Sequence, residues 1–213
     1  IIFIIIILVV ILTRHHDTFV TYTTFLGSNG NYAILIVGAL TKAHVQEAEA
    51  SIGTINKVRI GNLVTSIGVN GDSTSTAPFY AKTNLSSLIF KKDSICTIIG
   101  KYCFYGCTGL TKLNLPNSML VIYGYAFNSC INLTSVSFGN SLTNVNNGGY
   151  SFQNCTGLTS ITFPASILFV GFGAFLGVNL TSVTFLGSGV SKIVSTGTGF
   201  TGVNPFSAPA SAV

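Results

Sequence analysis

Charge is what this sequence has least of. Only 7% of its residues are Asp, Glu, Lys or Arg, against roughly 25% in an ordinary soluble protein. Acids are the scarcer sign, five against ten Lys and Arg, so the net charge of +5 reflects missing carboxylates more than abundant cations. The bases are scattered and form no nuclear-localisation or nucleic-acid cluster, so nucleic acid is not expected as a partner. Disorder is not expected either, because 48% of the residues are hydrophobic and disorder needs low hydrophobicity with high charge. Gly, Ser, Thr and Asn fill the polar positions, as in a β-rich chain where small neutral residues alternate with apolar ones.

The usual sequence marks of catalysis are missing as well. The histidines are His15, His16 and His44, and from residue 73 onward there is one acid, Asp93, and no histidine. General acid–base work needs positioned titratable groups. No H-E-x-x-H and no G-x-S-x-G occurs, and no C-x-x-C pair suggests zinc or redox chemistry. Gly197-Thr198-Gly199-Phe200-Thr201-Gly202 matches G-x-G-x-x-G, but a dinucleotide site also needs an acid about 20 residues later. The chain given ends eleven residues on. An enzyme is not expected, and neither a cofactor nor a metal is expected.

Residues 1–12, IIFIIIILVVIL, form an unbroken apolar run. A spanning helix needs about 20 such residues, whereas 10–14 suits a signal core or a buried segment. Three readings stay open: a membrane anchor, a signal-peptide core and a buried strand. No A-x-A-like cleavage site follows the run.

The body of the chain is repetitive. Ile55, Leu85, Leu110, Leu133, Leu158 and Leu180 each open an L-x-x-L-x-L segment, at intervals of 30, 25, 23, 25 and 22 residues. The last two apolar places are two apart and share one face of a strand. Phe79, Phe104, Phe127, Phe152, Phe175 and Phe200 keep the same step. A small residue or Pro precedes each, and a β-branched residue, often followed by Gly, stands further upstream. Asn84, Gly109, Asn132, Gly157 and Asn179 precede the leading Leu. Asn and Gly tolerate positive φ best, so a left-handed turn is expected there in every coil. Gly61, Pro116, Gly139 and Pro164 punctuate the bend after each strand. One coil alone cannot bury its apolar face, so coils must stack.

These columns resemble the BspA-like, or Treponema-type, leucine-rich repeats, whose pattern runs roughly I-G-x-x-A-F-x-x-C-x-x-L-x-x-I-x-I-P. It is seen in IGKYCFYGCTGLTKLNLPNS, YGYAFNSCINLTSVSFGNS, YSFQNCTGLTSITFPAS and VGFGAFLGVNLTSVTF, within residues 52–203. The resemblance implies a right-handed solenoid with a parallel sheet on its concave face. It also implies surface exposure, with roles in adhesion or host interaction in bacteria, parasitic protists and large viruses. Residues 68–78 depart from the pattern as an insertion, and the last coil decays into GVNPFSAPASAV without a recognisable cap.

The expected organisation is a hydrophobic anchor or signal core (1–12), an N-terminal strand and helix cap (13–50) and a solenoid of about six coils (51–213). In the cap, FVTYTTFLG and YAILIVGAL read as two strands around a Ser28-Asn29-Gly30 turn. TKAHVQEAEA reads as a short helix starting near Thr41.

The face of the sheet turned away from the core is the candidate binding site. It comprises Lys57, Arg59, Ser87, Ile89, Lys112, Asn114, Ser135, Ser137, Ser160, Thr162, Ser182 and Thr184. Solenoids bind along such extended surfaces, and hydroxyls and amides hydrogen-bond polypeptide or sugar. The basic end can orient an acidic partner. A plain solvated sheet face is the other reading of the same residues. An extracellular protein or glycan is the expected partner, at the cell surface or outside the cell; a spacer or a self-assembling coat, with the virion surface as location, is the alternative.

Cys107, Cys130 and Cys155 share a column, Cys103 precedes Phe104, and Cys96 fits no column and is the expected free thiol. Small buried fillers, disulfides between neighbouring coils, and a metal site or nucleophile are the readings of the column, in that order. Asn84-Leu85-Ser86, Asn132-Leu133-Thr134, Asn154-Cys155-Thr156 and Asn179-Leu180-Thr181 are formal glycosylation sequons. Three of these Asn are the turn residues already named.

Overall fold

In the computed structural model of the chain, residues 22–27, 30–35, 38–147, 149–187 and 192–193 are described. The apolar run 1–12, Phe200 and the G-x-G-x-x-G segment lie outside them.

The chain enters through β1 (Tyr22–Gly27) and β2 (Gly30–Leu35), an antiparallel hairpin. There follow β3 (Gly38–Leu40), α1 (Lys42–Ile52), β4 (Lys57–Ile60) and β5 (Val64–Ile67). Short strands then alternate: β6 (Ser87–Phe90), β7 (Ile98–Ile99), β8 (Lys112–Asn114), β9 (Val121–Tyr123), β10 (Ser135–Ser137), β11 (Asn144–Asn147), β12 (Ser160–Phe163), β13 (Phe169–Val170), β14 (Ser182–Phe185) and β15 (Lys192–Ile193). The even-numbered strands build one face. β2, β4 and β6 pair in parallel, as do β8 with β10 and β12 with β14. β6 lies against β8, and β10 against β12. The odd-numbered strands from β3 to β15 pair in chain order as a second, seven-stranded parallel sheet. The chain is thus a parallel β-solenoid in which each turn visits both sheets.

The ladder strands of the repeats begin at the third place of the L-x-x-L-x-L segments and end at the fifth or sixth, around the two apolar places that share one face. The second sheet was visible in the sequence only as a column of β-branched residues. Its inward positions, Leu40, Ile67, Ile99, Ile122, Val145 and Val170, are all buried. Three residues upstream lies a further buried column of Val64, Cys96, Met119, Leu142 and Ile167. Cys96 therefore does occupy a repeat column, contrary to the sequence reading. Its neighbours there differ chemically and share only burial.

YAILIVGAL also proves to be two strands, β2 in the ladder sheet and β3 in the second sheet. Because β2 pairs in parallel with β4, and β3 with β5, the N-terminal cap meets the first repeat by continuing its backbone ladders. In that coil α1 takes the place that turns occupy in the later ones. Thr41 is its N-cap, and the Thr41 N–H donates to His44 Nδ1 at 3.2 Å. Val45 and Ala48 are buried among the described side chains of the helix.

Between the sheets, Phe79, Phe104, Phe127, Phe152 and Phe175 stack with centroids 5.1, 5.2, 5.1 and 5.3 Å apart and rings within 12° of parallel. All five are buried. Burial of each such side chain contributes roughly 1.5–3 kcal/mol.

The expected left-handed turns are not where the sequence reading put them. Asn84, Gly109, Asn132, Gly157 and Asn179 do not have positive φ. Four of them sit inside i→i+3 turns, with Leu85, Leu110, Leu133 and Leu158 N–H donating to the carbonyls of Lys82, Cys107, Cys130 and Cys155. A type I turn asks only for φ near −90° at that place. Glycine is needed there for space. A Cβ on Gly109 would lie 2.6 Å from the Thr83 carbonyl oxygen, and one on Gly157 would lie 2.9 Å from that of Leu133. Positive φ occurs instead in two columns flanking the Phe. One is Tyr102, Tyr125, Tyr150 and Gly173; the other is Ala81, Gly106, Ser129, Asn154 and Gly177. The second column is position i+2 of the turn from each Phe to the residue three later, where a type II turn requires φ > 0.

Candidate functional site

The outward positions of the ladder strands form two rows. Lys57, Ser87, Lys112, Ser135, Ser160 and Ser182 make the first; Arg59, Ile89, Asn114, Ser137, Thr162 and Thr184 make the second. Register places them side by side: Lys57 opposite Ser87, Arg59 opposite Ile89, Ser135 opposite Lys112, Ser137 opposite Asn114, Ser160 opposite Ser182 and Thr162 opposite Thr184. Between the rows point the core residues Val58, Leu88, Leu113, Ile161 and Val183, all buried, with Val136 partly so. Arg59, Ile89, Lys112, Asn114, Ser135, Ser137, Ser160, Thr162 and Ser182 are exposed, while Lys57, Ser87 and Thr184 are half-buried. Neighbours across strands stand about 4.8 Å apart, and neighbours along a strand about 6.7 Å apart. All twelve sequence-selected residues therefore meet on one continuous face.

That face is divided electrostatically. Its cations, Lys57, Arg59 and Lys112, lie in the first three repeat coils. From residue 113 to 191 the sequence contains no Asp, Glu, Lys, Arg or His. The later half offers only hydroxyls above apolar residues.

The strand flanks carry a second hydroxyl system that serves the fold. Ser86, Thr134 and Thr181 donate to the carbonyls of Asn56, Thr111 and Thr159, each in the preceding coil, at 3.1, 3.1 and 3.0 Å. These hydroxyls are consumed by coil stacking.

The cysteines do the same work inside. Cys107, Cys130 and Cys155 each donate Sγ–H to the carbonyl of the preceding coil's Phe, at 3.1 Å in every case. Cys103 donates to the Ile67 carbonyl at 2.9 Å. All five cysteines are free and buried, so Cys96 is one free thiol among five. Burial pushes the thiols of Cys103, Cys107 and Cys155 well above their ordinary range and that of Cys96 up to about 12. A thiolate is the nucleophilic form of cysteine, and these sites suppress it. Among the described residues, no group of three or more His, Cys, Asp and Glu is placed to hold a metal ion, and no helix is long and apolar enough to cross a membrane.

Two features on the turn side escaped the sequence reading. Tyr102 stacks on Tyr125 at 4.9 Å, Tyr125 meets Tyr150 at 5.2 Å, and Tyr80 stacks on Tyr105 at 5.1 Å. Lys101 Nζ lies 5.2 Å from the Tyr102 ring centre. The signal was a Tyr two places before three successive Phe residues. Near the C-terminal end of α1, Lys82 donates to both carboxylate oxygens of Glu49, at 2.7 and 2.6 Å. That pair borders an open cleft of about 490 Å³, also lined by Thr54, Thr83 and Asn84.

The sequence matches the BspA type leucine rich repeat region in six copies over residues 73–196. No curated protein matches it. Among solved structures, the T. pallidum leucine rich repeat protein is similar with a TM-score of 0.51 at 19% identity, over 76% of this chain and 78% of that one. A leucine rich cell surface protein from Faecalibacterium prausnitzii A2-165 gives 0.44 at 17%, over 78% of this chain and 53% of that one. A leucine-rich repeat protein from Bacteroides ovatus ATCC 8483 gives 0.41 at 18%, over 76% and 56% respectively. The first of these likenesses supports the solenoid fold.

Proposed function

The chain belongs to the BspA-type leucine-rich-repeat family, and from that premise we propose that it is a surface-exposed, non-enzymatic module that recognises extracellular protein or glycan through the outward rows of its ladder sheet. The observation that carries this reading is the two-row array itself, exposed over successive coils and presenting hydroxyl, amide and cationic groups in register. The rows offer many weak donors and acceptors, which suits an extended ligand better than a small molecule in a closed pocket.

The test is binding of the full chain to immobilised panels of extracellular-matrix proteins and of neutral and acidic glycans. A variant carrying Ser135→Glu, Ser137→Glu, Ser160→Glu and Thr162→Glu runs in parallel, with circular dichroism confirming its fold. Binding by the parent that drops at least tenfold in the variant supports the ladder. Equal binding by both, or none by either, removes it.

A second reading has its own support. Leu63, Ile95, Leu120 and Leu168 flank the second sheet at 48%, 48%, 39% and 49% exposure. Apolar residues there favour side-by-side association in a self-assembling layer. Light scattering that shows mass rising with concentration, unaffected by the ladder substitutions, would favour this structural role.

A further inference from the structure

Three of the four glycosylation sequons occupy a single column. Asn84, Asn132 and Asn179 each precede a leading Leu, and Gly109 and Gly157 hold the same place in the coils between them. Backbone conformation does not account for the asparagines, since none of the three has positive φ. Asn132 Nδ2 donates to the Thr108 carbonyl at 2.9 Å, a role glycine cannot share and that the alternation does not repeat. All three Asn are exposed, while Leu85, Leu133 and Leu180 are buried. Each sequon therefore carries an exposed Asn on one side of an anchored Leu. On the other side its hydroxyl residue, Ser86, Thr134 or Thr181, is exposed as a residue but donates its O–H to a carbonyl of the preceding coil, a bond that must open when a transferase engages the sequon.

The alternation has a steric meaning. Neighbouring strands stand about 4.8 Å apart, so side chains two coils apart are separated by about 10 Å. A glycan on every coil would crowd the next one. In the intervening coils the column carries no side chain, and Gly109 and Gly157 are held there by carbonyl oxygens 2.6–3.0 Å from where a Cβ would be. Asn154 belongs to a different column. It is exposed too, but it has φ 58, and its Oδ1 lies 2.5 Å from where a Cβ on Gly177 would stand, so its amide oxygen abuts the backbone of the next coil in a left-handed turn that the column asparagines do not share.

We propose that Asn84, Asn132 and Asn179 are acceptors for N-linked glycans, and that Asn154 is not. The donor is an oligosaccharide carried on a polyprenyl diphosphate, and the catalyst is a membrane oligosaccharyltransferase. Nδ2 attacks the anomeric carbon, and the N–C bond forms as the bond from that carbon to the diphosphate oxygen breaks. The lipid diphosphate leaves, and one Nδ2 proton passes to a base on the transferase. The remaining N–H still reaches the Thr108 carbonyl in the case of Asn132. The glycans would line one edge of the ladder sheet and leave its two outward rows open. This inference stands apart from the ladder reading.

The test is secretion of the full chain behind a cleavable leader from a eukaryotic host, followed by peptide N-glycanase digestion in heavy-oxygen water and peptide mass mapping. Label on at least two of Asn84, Asn132 and Asn179, with Asn154 unlabelled, is the expected result. Each single Asn→Gln change at a labelled site should then remove one mobility step. Label on fewer than two column sites, or on Asn154 as fully as on the column, overturns the proposal.

Discussion

At the scale of single residues, backbone conformation and close packing sort positions that look alike in the sequence. Ala81 and Ser129 hold positive φ without being glycine, which costs roughly 1–2 kcal/mol each. Ala81→Gly should therefore raise stability by about 0.5–1 kcal/mol in urea denaturation, despite the added chain entropy. Gly109→Ala has the opposite sign, because its Cβ meets the Thr83 carbonyl, and a loss of about 1–3 kcal/mol is expected. The sequence could not separate these cases: Gly and Asn serve both left-handed turns and tight contacts, and only coil stacking shows which applies. Cys96 was hidden differently, since a column of Val, Cys, Met, Leu and Ile has no shared chemistry to see. Its thiol ionises near its ordinary 9.0 when unfolded but at about 12 when folded. The unfolded state thus binds fewer protons between those values, and stability must fall as pH rises from about 9 toward 12. Cys96→Ala should flatten that part of the alkaline denaturation profile, measured against the parent by circular dichroism.

Among the elements, the ladder strands, three or four residues each, were legible because the L-x-x-L-x-L segments that hold them repeat in phase. Strands such as β7 and β13 span two residues each, too short for any period, so their sheet emerges only from the parallel register. That sheet nevertheless holds much of the core, and Ile122→Ala should cost about 2–5 kcal/mol. The ladder's two halves should also behave differently in solution. If an acidic partner binds, replacing Lys57, Arg59 and Lys112 with Gln should slow association mainly at low ionic strength. Substitutions at Ser160 or Thr162 should change affinity with little dependence on salt. Association rates measured at two salt concentrations separate the two. The face and its residues were readable from alternation; what it binds was not, because small polar side chains are also what any solvated strand prefers.

For the molecule as a whole, stability is a sum over coils and their contacts with immediate neighbours. Each Phe ring stacks on the next at nearly the same distance, and each Cys in the column of Cys107, Cys130 and Cys155 donates to the same carbonyl of the coil before it. The N-terminal coil joins this series through β2 and β3, a continuity that the sequence concealed because a helix replaces the Phe-bearing turns there. Since the coils from Phe79 to Phe175 present nearly the same rings to one another, the inner ones are interchangeable. Deleting residues 110–132 would join Gly109 to Leu133 and set Phe104 against Phe152, and a shortened, cooperatively unfolding chain is the expected result in a thermal melt. Unequal recombination within such a gene would therefore alter reach without altering architecture, making the length of the protein a trait that lineages can vary in whole-coil steps.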